Sequence, residues 1–171
     1  MHRTAPYILL IVLALLQIFL FNNLAISTYF SPLVYLIFLV MLPLETSGIA
    51  MLALGLITGM MMDYTMGTAG INTFSTLFVA FFRRNLISLF ANREDLRDEG
   101  IPSPARMGVL LFWSYAIAMV LLHHTIFFVM ESLSWAHVGR TLLRILLSSA
   151  GTLCALYLTE QLFTPKLSKH A

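Results

Sequence analysis

The groups in this chain that could do chemistry are the few ionisable side chains set inside apolar runs. Asp63 ends a stripe begun by Gly55 and Gly59, and a spacing of four residues places all three on one helix face. In lipid, small residues at this spacing let another backbone approach closely. The stripe therefore either packs a helix within its own bundle or docks a partner's membrane helix. Asp63 can serve either role, and near a helix end it can also cap the turn that follows. A second group is His124 and Glu131, seven residues apart, or about 10.5 Å along one helix face. Arg140 and Arg144, an i,i+4 pair, open the next apolar run. A short turn between the two runs brings Glu131 and one arginine to similar depth, where they neutralise each other. The reading is an ion pair that pins two helices, with a partner-facing or substrate-facing cluster as the alternative. A proton relay or metal centre has little behind it. His123 and His124 are adjacent and point to different faces, and only one acid lies near them in sequence.

These groups need a scaffold, and composition says which kind. The 171 residues are 59% hydrophobic and 11% charged, against about 25% charged in an ordinary soluble domain. The chain reads as an all-α integral membrane protein forming one domain over residues 1–171. A net charge of +2 is too small and scattered for a nucleic-acid partner. Cys154 is the single cysteine, so neither an internal disulfide nor a cysteine metal site is expected. No phosphate loop, nucleophile elbow or metalloprotease motif occurs, and neither an enzyme nor a cofactor is expected.

Apolar runs of roughly membrane-spanning length predict six transmembrane helices, at 5–21, 32–44, 49–62, 71–90, 107–130 and 139–163. The first is read as a retained helix rather than a signal peptide, because Asn22, Asn23 and Leu24 offer no small-residue cleavage site. Within it Gln17 is the one polar residue and should face another helix. The second and third runs are short. They extend past these bounds, cross a locally thin bilayer, or are shielded by protein. Arg83 and Arg84 should snorkel from the end of the fourth helix to the headgroups. Residues 91–106 form the one hydrophilic stretch, read as a solvated loop. Six crossings put both termini on one side. A cytoplasmic N-terminus gathers eight of the ten basic residues on that face and leaves Arg140 and Arg144 outside.

The run from Gly55 through Gly59 to Asp63, the Gly67 and Gly70 turn, and the continuation Ile71, Asn72 to Phe82, Arg83 resemble the MreD family of bacterial rod shape-determining proteins. His123, His124, Phe127, Phe128 and Glu131, followed by Leu143 and Arg144, are similar to its Bacteroidota-like branch. The resemblance implies a compact bundle like the substrate-binding subunits of energy-coupling-factor vitamin transporters. It also implies a non-enzymatic inner-membrane scaffold of the cell-elongation machinery. Its implied partners are an MreC-like protein, a RodA-like glycosyltransferase, a class B penicillin-binding protein and, indirectly, MreB filaments, within membrane lipids. The alternative is a substrate-binding subunit of a vitamin transporter, with Asp63, Asn72, His124, Glu131 and Arg140 lining an outward pocket.

Overall fold

A computed structural model describes residues 5–18, 29–90, 100–133 and 138–168. The described residues are helical, without strands: α1 (Ala5–Leu16), α2 (Leu36–Val40), α3 (Gly48–Met66), α4 (Ile71–Phe90), α5 (Pro104–Met107), α6 (Val109–Ser132) and α7 (Val138–Ser168). Three of them contain stretches long and apolar enough to cross a membrane: Gly48–Met66, Val109–Ser132 and Val138–Leu162. The chain is accordingly a membrane protein. Most of the hydrophilic stretch, residues 91–99, lies outside the described residues.

Local chemistry sets the helix limits. Ser47 starts α3 by accepting the Ala50 N–H on its hydroxyl, and Gly67 stops it in the left-handed region at φ 67° with its N–H on the Asp63 carbonyl. The third helix thus continues one turn past Met62, with Asp63 inside it, and its shortness in sequence was a matter of bounds. Gly108, at φ 83°, separates α5 from α6.

Helices α3, α4, α6 and α7 run antiparallel in sequence order. Gly55 meets Ala80 and Gly59 meets Thr73 across the first seam. Thr76 meets His123 and Arg83 meets Tyr115 across the second. Glu131 meets Arg144 and His124 meets Thr152 across the third.

Through the middle of these helices passes the stretch that sequence assigned to a second spanning helix. Every residue from 33 to 42 is at most 2% exposed. Only Leu36–Val40 is helical, a length of about 7.5 Å against the roughly 30 Å of a bilayer core. The expected span at 32–44 is therefore corrected to a broken segment enclosed by protein. Pro32 and Pro43 bracket it, and each removes a backbone donor that a continuous helix would use. Its entry lies on α7, where the Phe30 ring fills the space beside Gly151. A Cβ added there would be 2.6 Å from the ring.

Candidate functional site

A broken backbone inside a membrane protein survives only where its freed N–H and C=O groups find partners, since each unsatisfied group costs several kcal/mol. At the entry end those partners are neutral side chains from two helices. The Ser31 N–H donates to Ser148 Oγ at 3.0 Å and the Leu33 N–H to Thr152 Oγ1 at 3.0 Å, both on α7. The Val34 N–H donates to Gln17 Oε1 at 2.7 Å, just beyond α1. Gln17 thus faces the interior, as its position in an apolar run required.

At the exit end the exposed groups are carbonyls and the partners are donors. Arg83 of α4 reaches the Leu42 carbonyl with one terminal nitrogen and the Pro43 carbonyl with the other, at 3.5 Å, while its Nε donates to the Tyr115 hydroxyl at 2.9 Å. Tyr115 passes its own proton to the Val40 carbonyl at 3.2 Å. Arg83 is only 5% exposed. The expectation that both arginines snorkel is corrected for Arg83, because it shares a buried face with Asn72, Thr76, Val79 and Ile87, whereas Arg84 is exposed. A cation at the carbonyl end of a short helix also opposes the partial negative charge there. Leu44 and Glu45 then clasp Gly100: the Leu44 N–H donates to the Gly100 carbonyl and the Gly100 N–H to Glu45 Oε2, both at 2.9 Å.

Between these ends, Tyr35 projects from the broken segment into a buried polar centre. Its hydroxyl donates to Asn72 Oδ1 at 3.0 Å and lies 3.2 Å from Thr76 Oγ1 and 3.1 Å from His123 Nε2. Asn72 donates to Thr68 at 2.7 Å, and Thr68 donates to Asp63 Oδ1 at 2.6 Å. Asp63 also accepts the N–H groups of Asn72 and Thr73 at 2.9 Å each, and the Thr73 hydroxyl at 2.5 Å. The carboxylate is a remote N-cap for α4, satisfying amides that a helix start leaves open.

The stripe of Gly55, Gly59 and Asp63 is thereby placed. A Cβ at Gly59 would stand 2.6 Å from the Thr73 Cα, and one at Gly55 would stand 3.1 Å from the Ala80 Cβ. Helix α4 of the same chain occupies this face, so the expectation that it could dock a foreign helix is corrected: the stripe is the α3–α4 seam.

The second cluster separates in two. Glu131 and Arg144 form an ion pair at 2.8 Å, and the Arg144 guanidinium also lies over the Phe128 ring, 4.6 Å from its centroid. His124 is fully buried, bonded to the Val120 carbonyl at 2.9 Å and to Thr152 at 3.3 Å, with the Phe128 ring 5.9 Å from its own. Arg140 is exposed, and Arg144 is the arginine that Glu131 meets. Among the described residues no three His, Cys, Asp or Glu side chains converge as metal ligands. An apolar groove of about 430 Å³ lies elsewhere, lined by Phe90, Met107, Gly108, Val109, Leu110, Leu111 and Ser114.

Sequence reasoning missed Tyr35, Thr76, Tyr115, Ser148 and Thr152 as members of this site. A usable signal existed. Asn72 and Thr76, and Ser148 and Thr152, are polar pairs four residues apart inside long apolar helices, the spacing that aims two side chains at one neighbour. No family model, curated protein or solved structure matches the chain.

Proposed function

We propose that the chain is an MreD-like protein: a non-enzymatic, multi-pass scaffold of the bacterial inner membrane with both termini cytoplasmic. In this role it holds the membrane helix of an MreC-like partner and helps position or activate side-wall peptidoglycan synthesis. The sequence basis is the resemblance over residues 55–83 and 123–144. The observation that carries the choice between scaffold and transporter subunit is where the polar side chains point. A ligand-binding subunit would aim them into an open pocket with unsatisfied groups ready for a substrate. Here Asp63 is met by Thr68 and the first turn of α4, Asn72 by Thr68 and Tyr35, His124 by Val120 and Thr152, and Glu131 by Arg144.

With the glycine stripe covered by α4, the partner's helix belongs on the outer face of α6 and α7. There Leu142, Leu143, Leu146 and Leu147 are exposed along one side of α7. Packing and shape would drive such an association in lipid, since apolar exposure alone gives no preference for protein over acyl chains.

The test is affinity capture from bacterial membranes combined with depletion in growing cells. The scaffold role predicts recovery of an MreC-like protein and loss of cylindrical shape on depletion. Recovery of an ATPase module with a bound vitamin and no cell-wall proteins, or rod-shaped growth without the protein, would contradict it.

A further inference from the structure

The direction of every hydrogen bond in the polar centre can be worked out from Asp63. Both carboxylate oxygens are occupied twice, by the Asn72 N–H and Thr68 hydroxyl on Oδ1 and by the Thr73 N–H and hydroxyl on Oδ2. A backbone N–H and a hydroxyl on each oxygen favour the ionised acid, which accepts from all four. Thr68 must give Asp63 its single hydroxyl proton and can therefore only accept from Asn72. That fixes the Asn72 amide with its NH2 toward Thr68, at 2.7 Å, and its oxygen toward Tyr35, at 3.0 Å.

Tyr35 has one proton, and it goes to Asn72. Toward His123 Nε2, 3.1 Å away, its oxygen can only accept, and Thr76 Oγ1 lies 3.3 Å from the same nitrogen. A proton on Nε2 serves both oxygens, whereas a bare Nε2 accepting from Thr76 would set its lone pair against the tyrosine oxygen, so the geometry favours the Nε2 proton. Thr76 fits as the second donor to the tyrosine oxygen, at 3.2 Å. His123 Nδ1 is left as a bare lone pair, and it is one of the few buried side-chain atoms without a partner among the described residues. The adjacent His124 comes out the other way. Its Nδ1 faces the Val120 carbonyl and must donate, while its Nε2 accepts from Thr152, whose oxygen takes the Leu33 N–H.

We infer that Asp63, at the α3–α4 turn, sets the tautomer of His123 at the centre of the bundle through Thr68, Asn72 and Tyr35, with His123 and His124 held in opposite tautomers. The relay links α3, α4, the broken segment and α6, so an event at the turn that withdraws the carboxylate or the Thr68 hydroxyl frees the Asn72 amide to turn over. Tyr35 would then donate to His123, and the imidazole proton would move to Nδ1. This device stands whether or not the chain is a scaffold.

The experiment is ring-nitrogen NMR of ¹⁵N-histidine-labelled protein in lipid nanodiscs, with His2, His137 and His170 changed to Gln so that two imidazoles remain. His124→Asn assigns the pair, since it removes one of the two signals. The wild type should show one Nε2-protonated and one Nδ1-protonated ring. Thr68→Val should add an Nδ1-protonated His123 signal of size comparable to the original, with His124 unchanged. A wild-type His123 protonated on Nδ1 or on both nitrogens would overturn the inference without recourse to any variant. A His123 that stays wholly Nε2-protonated in Thr68→Val would overturn the control by Asp63.

Discussion

The two ends of the enclosed segment solve opposite problems with different chemistry. At the entry, free N–H groups meet the neutral oxygens of Gln17, Ser148 and Thr152. At the exit, free carbonyls meet one guanidinium and one phenol. Donors can be satisfied singly by small side chains already present on a helix surface. Several converging carbonyls call for a group with many donors in a fixed fork, which is arginine. The exit therefore concentrates in Arg83 what the entry spreads over three residues, and substitutions should reveal the asymmetry.

The largest effect is expected at Arg83. Arg83→Met leaves the Leu42 and Pro43 carbonyls and the Tyr115 hydroxyl without their donor, a loss of about 3 to 5 kcal/mol measured by unfolding in detergent. Arg83→Lys should recover only part of it, because an ammonium cannot reproduce the fork. At the entry, Thr152→Val should cost about 1 to 3 kcal/mol, Ser148→Ala about 1 kcal/mol, and the pair together roughly their sum if each amide is held independently. Equal losses at Arg83 and Ser148 would break the comparison. The α3–α4 seam gives a middle rank: Gly59→Ala should destabilise by about 1 to 3 kcal/mol and Gly55→Ala by less, since the Gly59 clash is with backbone. Smallest is the partly exposed ion pair. Glu131→Ala should cost up to about 1 kcal/mol, and exchanging Glu131 and Arg144 should restore most of it.

These contrasts also separate what could be read from sequence from what could not. That Glu131 pairs with one of two arginines was legible because a short turn fixes antiparallel depth from residue number alone, but the choice of Arg144 over Arg140 was not. The small-residue spacing of Gly55 and Gly59 was legible as a notch, but the identity of its occupant depends on which helix folds back. Arg83 was misread because composition treats it like Arg84; the periodicity through Asn72, Thr76 and Val79 places it inward. Shielding by protein was only one of three readings open for the short second run, and the choice among them was hidden for a deeper reason. Apolar residues from Leu33 to Leu42 look the same whether lipid or protein surrounds them. The bonds that hold the segment come from Ser148 and Thr152, more than a hundred residues away.

The central claim is that this segment is surrounded by its own chain. Photo-leucine incorporated throughout the protein, activated in native membranes and mapped by mass spectrometry, tests it directly. Leu36, Leu39 and Leu42 should crosslink only to residues of the same chain, while Leu142, Leu146 and Leu158 capture lipid or other proteins. Lipid or a foreign protein attached at Leu36 or Leu39 would contradict it.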